Sequence, residues 1–174
     1  MLAMSPFWRR PKSHQREYSA RTAEGRAIIE EIKQHFPQRE VVHTDMERDE
    51  AIAFCAWLRR IEGSEAPAPE LWQSRAERIV LTTVRVQLER DMELTSGSPH
   101  LALSRNEALV LGPWVGRDAV FERLVTQESD EQRALWHLET WLEHELFVEY
   151  SDKRYRAIID LAREQVIQDD RDAK

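Results

Sequence analysis

Apolar residues recur along this chain at intervals of three and four, the spacing of one helix face, and rarely at the interval of two that marks a strand. Ala27, Ile28, Ile32 and Phe36 predict a first helix from about Ser19 to Phe36, stopped by Pro37. The connection Gln38 to His43 follows, with Val41-Val42 as its one short strand candidate. Thr44 and Glu47 have capping-box spacing and predict a helix over Asp45 to Ile61. Ala51, Phe54, Cys55, Leu58 and Ile61 share one face of that helix, and Trp57 flanks it.

The longest periodic stretch runs from about Pro69 to Leu94. Trp72, Ala76, Ile79, Thr83 and Val86 fall on one side and Val80, Val84 and Leu88 on the next, an arc wide enough for a central helix. Its β-branched residues give Ile79 to Leu88 some strand character, but the flanking Glu and Arg and the lack of alternation favour helix. Ser104 with Glu107 predicts a short helix ending at Leu111, where Gly112-Pro113 breaks it. Val120, Phe121, Leu124 and Val125 predict a helix over 117–127. Ser129 with Gln132 opens another from Asp130 to about Tyr150, and a last helix starts near Ser151, carrying Tyr155, Ile158, Ile159, Ala162 and Val166. The short link between these two predicts an antiparallel hairpin, and the acidic end after Ile167 should fray.

The expectation is an all-α fold, a bundle of roughly five to seven helices in one unit or two packed lobes. Its organisation is a basic N-terminal arm over 1–18, a helical hairpin over 19–62, a bundle over 69–168 and an acidic tail over 169–174. Gly63 to Pro69 and Thr95 to His100 are the clearest linkers.

Composition narrows the function. The 174 residues are 41% hydrophobic and 33% charged, a globular balance. A single cysteine, Cys55, excludes an internal disulfide or a multi-cysteine zinc site. No apolar run approaches the roughly 18 to 20 residues that span a bilayer, and no signal peptide is recognisable, so a cytoplasmic protein is expected. The net charge of −7 argues against general nucleic-acid affinity, but its distribution is uneven: +4 over 1–26 and −5 over 129–174. Arginines outnumber lysines 21 to 4, a bias that a GC-rich genome also produces.

Catalytic signatures are missing. GxSxG, Walker-type and GxGxxG loops do not occur, nor do HxxxH or HExxH. His43 and Glu47 have HxxxE spacing without a second motif, and His137 and His144 stand two turns apart, about 10 Å along a helix. Cys55 lies on a core face, as an inert thiol would. No catalytic residue, metal site or other cofactor is assigned.

Two constellations suggest contacts. Phe7, Trp8 and Tyr18 interleave with Arg9, Arg10, Lys12 and Arg16 in the arm, while Arg75, Arg78, Thr82 and Arg85 form one stripe on the third helix, with Glu89 at its end. These seven basic residues are the candidates for a nucleic-acid backbone, with no helix-turn-helix signature for reading sequence. On the helix opening at Asp130, Leu135, Leu138, Trp141, Leu142, Leu146 and Val148 form the core face, with Glu139 and Glu143 beyond one edge. Arg133, His137, Thr140 and His144 lie beyond the other edge beside Trp136 and Phe147. Aromatics there need cover, either from this chain or from a partner. Trp8, outside any predicted core, joins this partner-binding set. Six tryptophans fit contact surfaces and large core fillers alike.

The leading expectation is a non-enzymatic helical subunit that docks on a larger assembly, possible versions being a nucleoprotein complex with RNA or DNA backbone contact or self-association. Small helical subunits of CRISPR effector complexes exemplify the type, by architecture alone. A second expectation is an acidic inhibitor or immunity-type protein that engages a basic partner through Asp169, Asp170 and Asp172. A third is a helical-bundle metalloprotein using His43, Glu47, His137 or His144.

Overall fold

The structure is a computed structural model and describes residues 22–36, 40–63, 71–117, 120 and 129–174. Among these are seven helices and two strands: α1 Ala23–His35, β1 Val41–Asp45, α2 Arg48–Glu62, α3 Arg75–Leu94, β2 His100–Ser104, α4 Arg105–Val115, α5 Asp130–Glu145, α6 Phe147–Ser151 and α7 Tyr155–Asp172. The protein is a helical bundle with one small antiparallel ribbon. The predicted helix over 117–127 falls mostly outside the described residues; Val120 within it is buried.

Local caps set most helix starts. Thr22, Ser74, Ser104 and Ser129 each accept, through the side-chain oxygen, the amide three residues on. Ser104 and Glu107 complete the reciprocal capping box. The predicted box at Thr44 does not form. Thr44 is held in β1, its hydroxyl meets His137 Nε2 at 3.0 Å, and α2 starts at Arg48 after Glu47, which makes no side-chain cap. Pairing of Val41 to Asp45 with Ser104 to His100 takes up the backbone that a cap needs. The stretch predicted as a linker, Thr95 to His100, runs directly into this second strand.

α3 is a helix throughout Ile79 to Leu88 and starts at Arg75, six residues after the expected start at about Pro69, with Ser74 as its N-cap. Thr83 accommodates by donating its hydroxyl to the Ile79 carbonyl at 3.0 Å. The face that reaches the core is Ala76, Val80, Leu81, Val84 and Leu88, while Val86 stays exposed. α3 has no basic residue in its last turn. Arg48 of α2 serves instead, donating to the carbonyls of Met92 (3.0 Å) and Thr95 (2.7 Å).

Gly112-Pro113 does not end α4. Proline removes one helical bond to the Leu109 carbonyl, but the next two residues, Trp114 and Val115, are completely buried. Trp114 also donates its indole N–H to the Leu71 carbonyl at 2.9 Å. Burying that ring is worth more than the lost bond. Trp57, expected on a flank, is buried against it with ring centroids 5.8 Å apart.

The predicted helix over Asp130 to Tyr150 divides at Leu146 into α5 and α6. Arg105 explains the break. Its guanidinium donates to the Glu145 carbonyl at 3.2 Å, to Glu40 at 2.9 Å, and in a short contact to Glu149. α7 begins at Tyr155, and it packs chiefly on α4 and α3 rather than forming a hairpin along α5. Likewise α1 rests on α7, and α2 packs on α5 and α3, so α1 and α2 are not a hairpin among the described residues. The acidic end does not fray: α7 continues to Asp172, its carboxylates of Asp169 and Asp172 accepting from Gln165 and Gln168, both at 2.8 Å.

Glu77 organises the other half of the core. Its side chain is fully buried, and it accepts from Arg117 (2.8 Å), Arg163 (3.3 Å) and the Gln73 amide (2.8 Å). It thus ties α3 to the end of α4 and to α7. Glu149 is the comparable buried acid of Arg105, 1% exposed. Replacing Arg105 with alanine leaves that carboxylate buried without its cation. A loss of about 3–5 kcal/mol in urea unfolding is expected. The double variant Arg105→Ala with Glu149→Leu should recover most of it; equal instability of the two variants would refute this account.

Candidate functional site

The arm residues Trp8, Arg9, Arg10, Lys12 and Arg16 lie outside the described residues. The α3 stripe is described, and its charges are engaged within the chain. Arg85 pairs with Glu62 (3.0 Å) and Glu89 (3.1 Å), and Arg75 pairs with Asp170 of α7 (3.1 Å). Arg78 lies over the Trp72 ring, 5.7 Å from its centroid. Thr82 donates to Glu62 at 3.4 Å. The stripe exists as a row of residues, but two of its three arginines carry carboxylate partners. Lys174 and Arg75 hold the Asp170 carboxyl below the usual range.

The second face of α5 is assembled as the spacing implies. Trp136 is 38% exposed, Phe147 58% and Val148 62%. Thr140 and His144 are exposed between them, and His137 is half-buried through its bond to Thr44. Arg133 pairs with Asp130 in a short contact and lies 3.8 Å from Glu50 of α2. Val148, expected in the core, is displaced outward because the helix resets at Leu146. Trp141 is only half-buried, and Glu139, expected beyond the edge, is buried.

The histidines expected to be separate are partly gathered by the ribbon. His43 Nδ1 meets His100 Nε2 at 3.0 Å, and His100 Nδ1 meets Asp45 at 2.8 Å. A carboxylate only accepts, so Asp45 requires the proton on His100 Nδ1. In the neutral pair, His100 Nε2 then accepts from His43 Nδ1–H. The ring centroids are 5.2 Å apart, which exceeds the nitrogen separation by about the two ring radii. The nitrogens therefore point at each other. His100 was missed because its partners lie 55 and 57 residues away, on the other strand.

Glu47 ends next to α2 without joining these rings, and His144 sits on α5 apart from them. Glu40 and His43 have the ExxH spacing of helical carboxylate–histidine sites, but on extended chain an odd separation sends them to opposite faces, and Glu40 goes to Arg105. Among the described residues no group of three or more His, Cys, Asp or Glu side chains is placed to hold a metal ion. A cleft between α1, α4 and α7, with an empty volume of about 270 Å³ that includes open solvent, is lined by Ile32, Phe36, Leu109 and Ile158 beside Arg105. It presents no nucleophile–base pair.

No protein-family model, curated protein or solved structure matches this chain. Among the described residues no helix is long and apolar enough to cross a membrane.

Cys55 is buried between α2 and α3. Burial, and after it the Glu89 charge, pushes its thiol from the ordinary 9.0 up to about 12. Its contribution to stability is present below the unfolded value and is lost as pH rises from there toward the folded one. At pH 8 a thiol reagent should label the native protein far more slowly than the urea-unfolded chain; equal rates would show that the thiol is accessible.

Proposed function

We infer that this chain is a non-enzymatic helical interaction subunit that docks on a larger protein assembly through the outer face of α5 and α6. The exposure of Trp136 on α5, with Val148 exposed twelve residues further on in α6, carries this reading. A large aromatic left on a helix surface is the residue type that anchors contact cores. The rim is polar: Thr140, His144 and the paired Arg133.

A nucleoprotein assembly is the more specific version. In it the backbone contacts come from Arg9, Arg10, Lys12 and Arg16. The α3 stripe is less suited, since Arg75 and Arg85 would have to leave their carboxylates to reach a phosphate. An acidic inhibitor is supported less, because Asp169, Asp170 and Asp172 each already accept from a side chain of this chain.

A photo-crosslinking residue at Thr140 of the full chain, in its native cells, should yield one discrete crosslinked protein. Trp136→Glu should abolish that product while changing stability by about 1 kcal/mol or less. No discrete product, or one that survives Trp136→Glu, would overturn the reading. For the nucleoprotein version, single-stranded RNA and duplex DNA are titrated at low and high salt. Salt-sensitive binding that disappears when the four arm cations are replaced supports it; absence of binding ends it.

A further inference from the structure

The two strands of the ribbon turn alternate side chains toward the core. Val42, Leu101 and Leu103 are buried, so His43, Asp45 and His100 share the outward face, and all three are exposed. In the register His100 stands opposite Asp45 and diagonal to His43, within reach of both. His137 bonds to Thr44, which alternates to the other face, and takes no part in this cluster.

His43 Nδ1 and His100 Nε2 are 3.0 Å apart. A tetrahedral ion about 2.0–2.1 Å from each of two imidazoles holds their nitrogens about 3.3–3.4 Å apart. The pair is therefore within a few tenths of an ångström of a ligand pair's spacing. Turning each ring by about 35° takes the two nitrogen axes from facing one another to meeting at one point. Both rings are at the surface, which leaves room for that turn. The backbone behind them is fixed: both strands are paired, and the His100 amide donates to Asp91 at 2.7 Å.

Asp45 supplies the orienting carboxylate. It accepts from His100 Nδ1 at 2.8 Å and so keeps a lone pair on Nε2. A carboxylate in this position fixes the tautomer of a metal-binding imidazole and raises its basicity. Asp91 at the amide and Asp45 at the ring both bring negative charge toward a cation held by His100. Neutral imidazole suits zinc, nickel and copper(II), whereas magnesium and calcium take oxygen ligands.

We propose that the outward face of the ribbon is a binding site for a divalent zinc- or copper-type ion, held by His43 Nδ1 and His100 Nε2 with Asp45 behind His100. The ion takes the place of the proton that bridges the two rings. That proton passes through solvent to His43 Nε2, so both imidazoles stay neutral. Two protein ligands leave the other coordination positions to water, and the bound ion exchanges with solvent. Its ligands lie 57 residues apart in sequence, so the ion ties β1 to β2 and stabilises the folded chain.

The probe is the metal alone: Zn²⁺ and, separately, Cu²⁺ titrated by calorimetry into the untagged full chain in a non-chelating buffer, with Mg²⁺ as control. One zinc or copper ion per chain is expected, and no magnesium. His43→Ala and His100→Ala should each abolish binding, and Asp45→Asn should weaken it about 10- to 100-fold. His144→Ala should leave it unchanged. Saturating Zn²⁺ should raise the unfolding midpoint of the unaltered protein and leave that of His43→Ala where it is. Imidazole nitrogen NMR of the unaltered chain gives a reading that needs no variant, with His43 Nδ1 and His100 Nε2 the signals that move. No binding, binding that survives either alanine variant, or movement confined to other histidines would overturn the site.

Discussion

Arg105 is the interaction on which the arrangement of this fold depends. It stands at the first position of α4, directly after the strand residue that caps that helix, and its side chain is almost wholly enclosed. From there one guanidinium holds the chain entering β1, the last carbonyl of α5 and the buried acid of α6. The planar fork of arginine lets a single cation serve three acceptors from three elements. Burial opposes its charge, while the Glu149 and Glu40 carboxylates favour it, and the balance holds the guanidinium protonated more firmly than usual. The break at Leu146 follows from this clamp, since a carbonyl given to Arg105 is withdrawn from the helical ladder. The break in turn re-aims Phe147 and Val148 toward solvent.

Glu77 performs the matching task on the opposite side. A buried acid met by two arginines and a backbone amide joins α3, α4 and α7 around the Trp57–Trp114–Trp72 stack. Such buried ion pairs contribute modest net stability, because desolvation offsets most of the attraction. What they select is geometry, because any packing that separates the partners strands a charge. The apolar core between them supplies the bulk of the favourable energy.

These internal pairings also shape the surface. With Arg75 and Arg85 bound to carboxylates, α3 presents a row of closed ion pairs. The outer face of α5 and α6, by contrast, keeps exposed apolar area at Trp136, Phe147 and Val148.

The residue pattern by itself determined the helices, the caps at Ser104 and Ser129, the helical state of Ile79 to Leu88 and the split of α5 into a core face and an aromatic outer face. These rest on bonds between residues three or four apart, so the information is local. Tertiary structure decided the rest. Val41 to Asp45 became a strand because His100 to Ser104 pairs with it from the far side of two helices, which overrode the cap at Thr44. α4 ran through Pro113 because Trp114 had a buried place to fill. α5 stopped at Glu145 because Arg105, forty residues away in sequence, took its carbonyl. α7 turned onto α3 and α4 because Glu77 and Asp170 met Arg163 and Arg75. Each of these outcomes depends on contacts between residues distant along the chain, and a local pattern of apolar and polar positions carries no record of them.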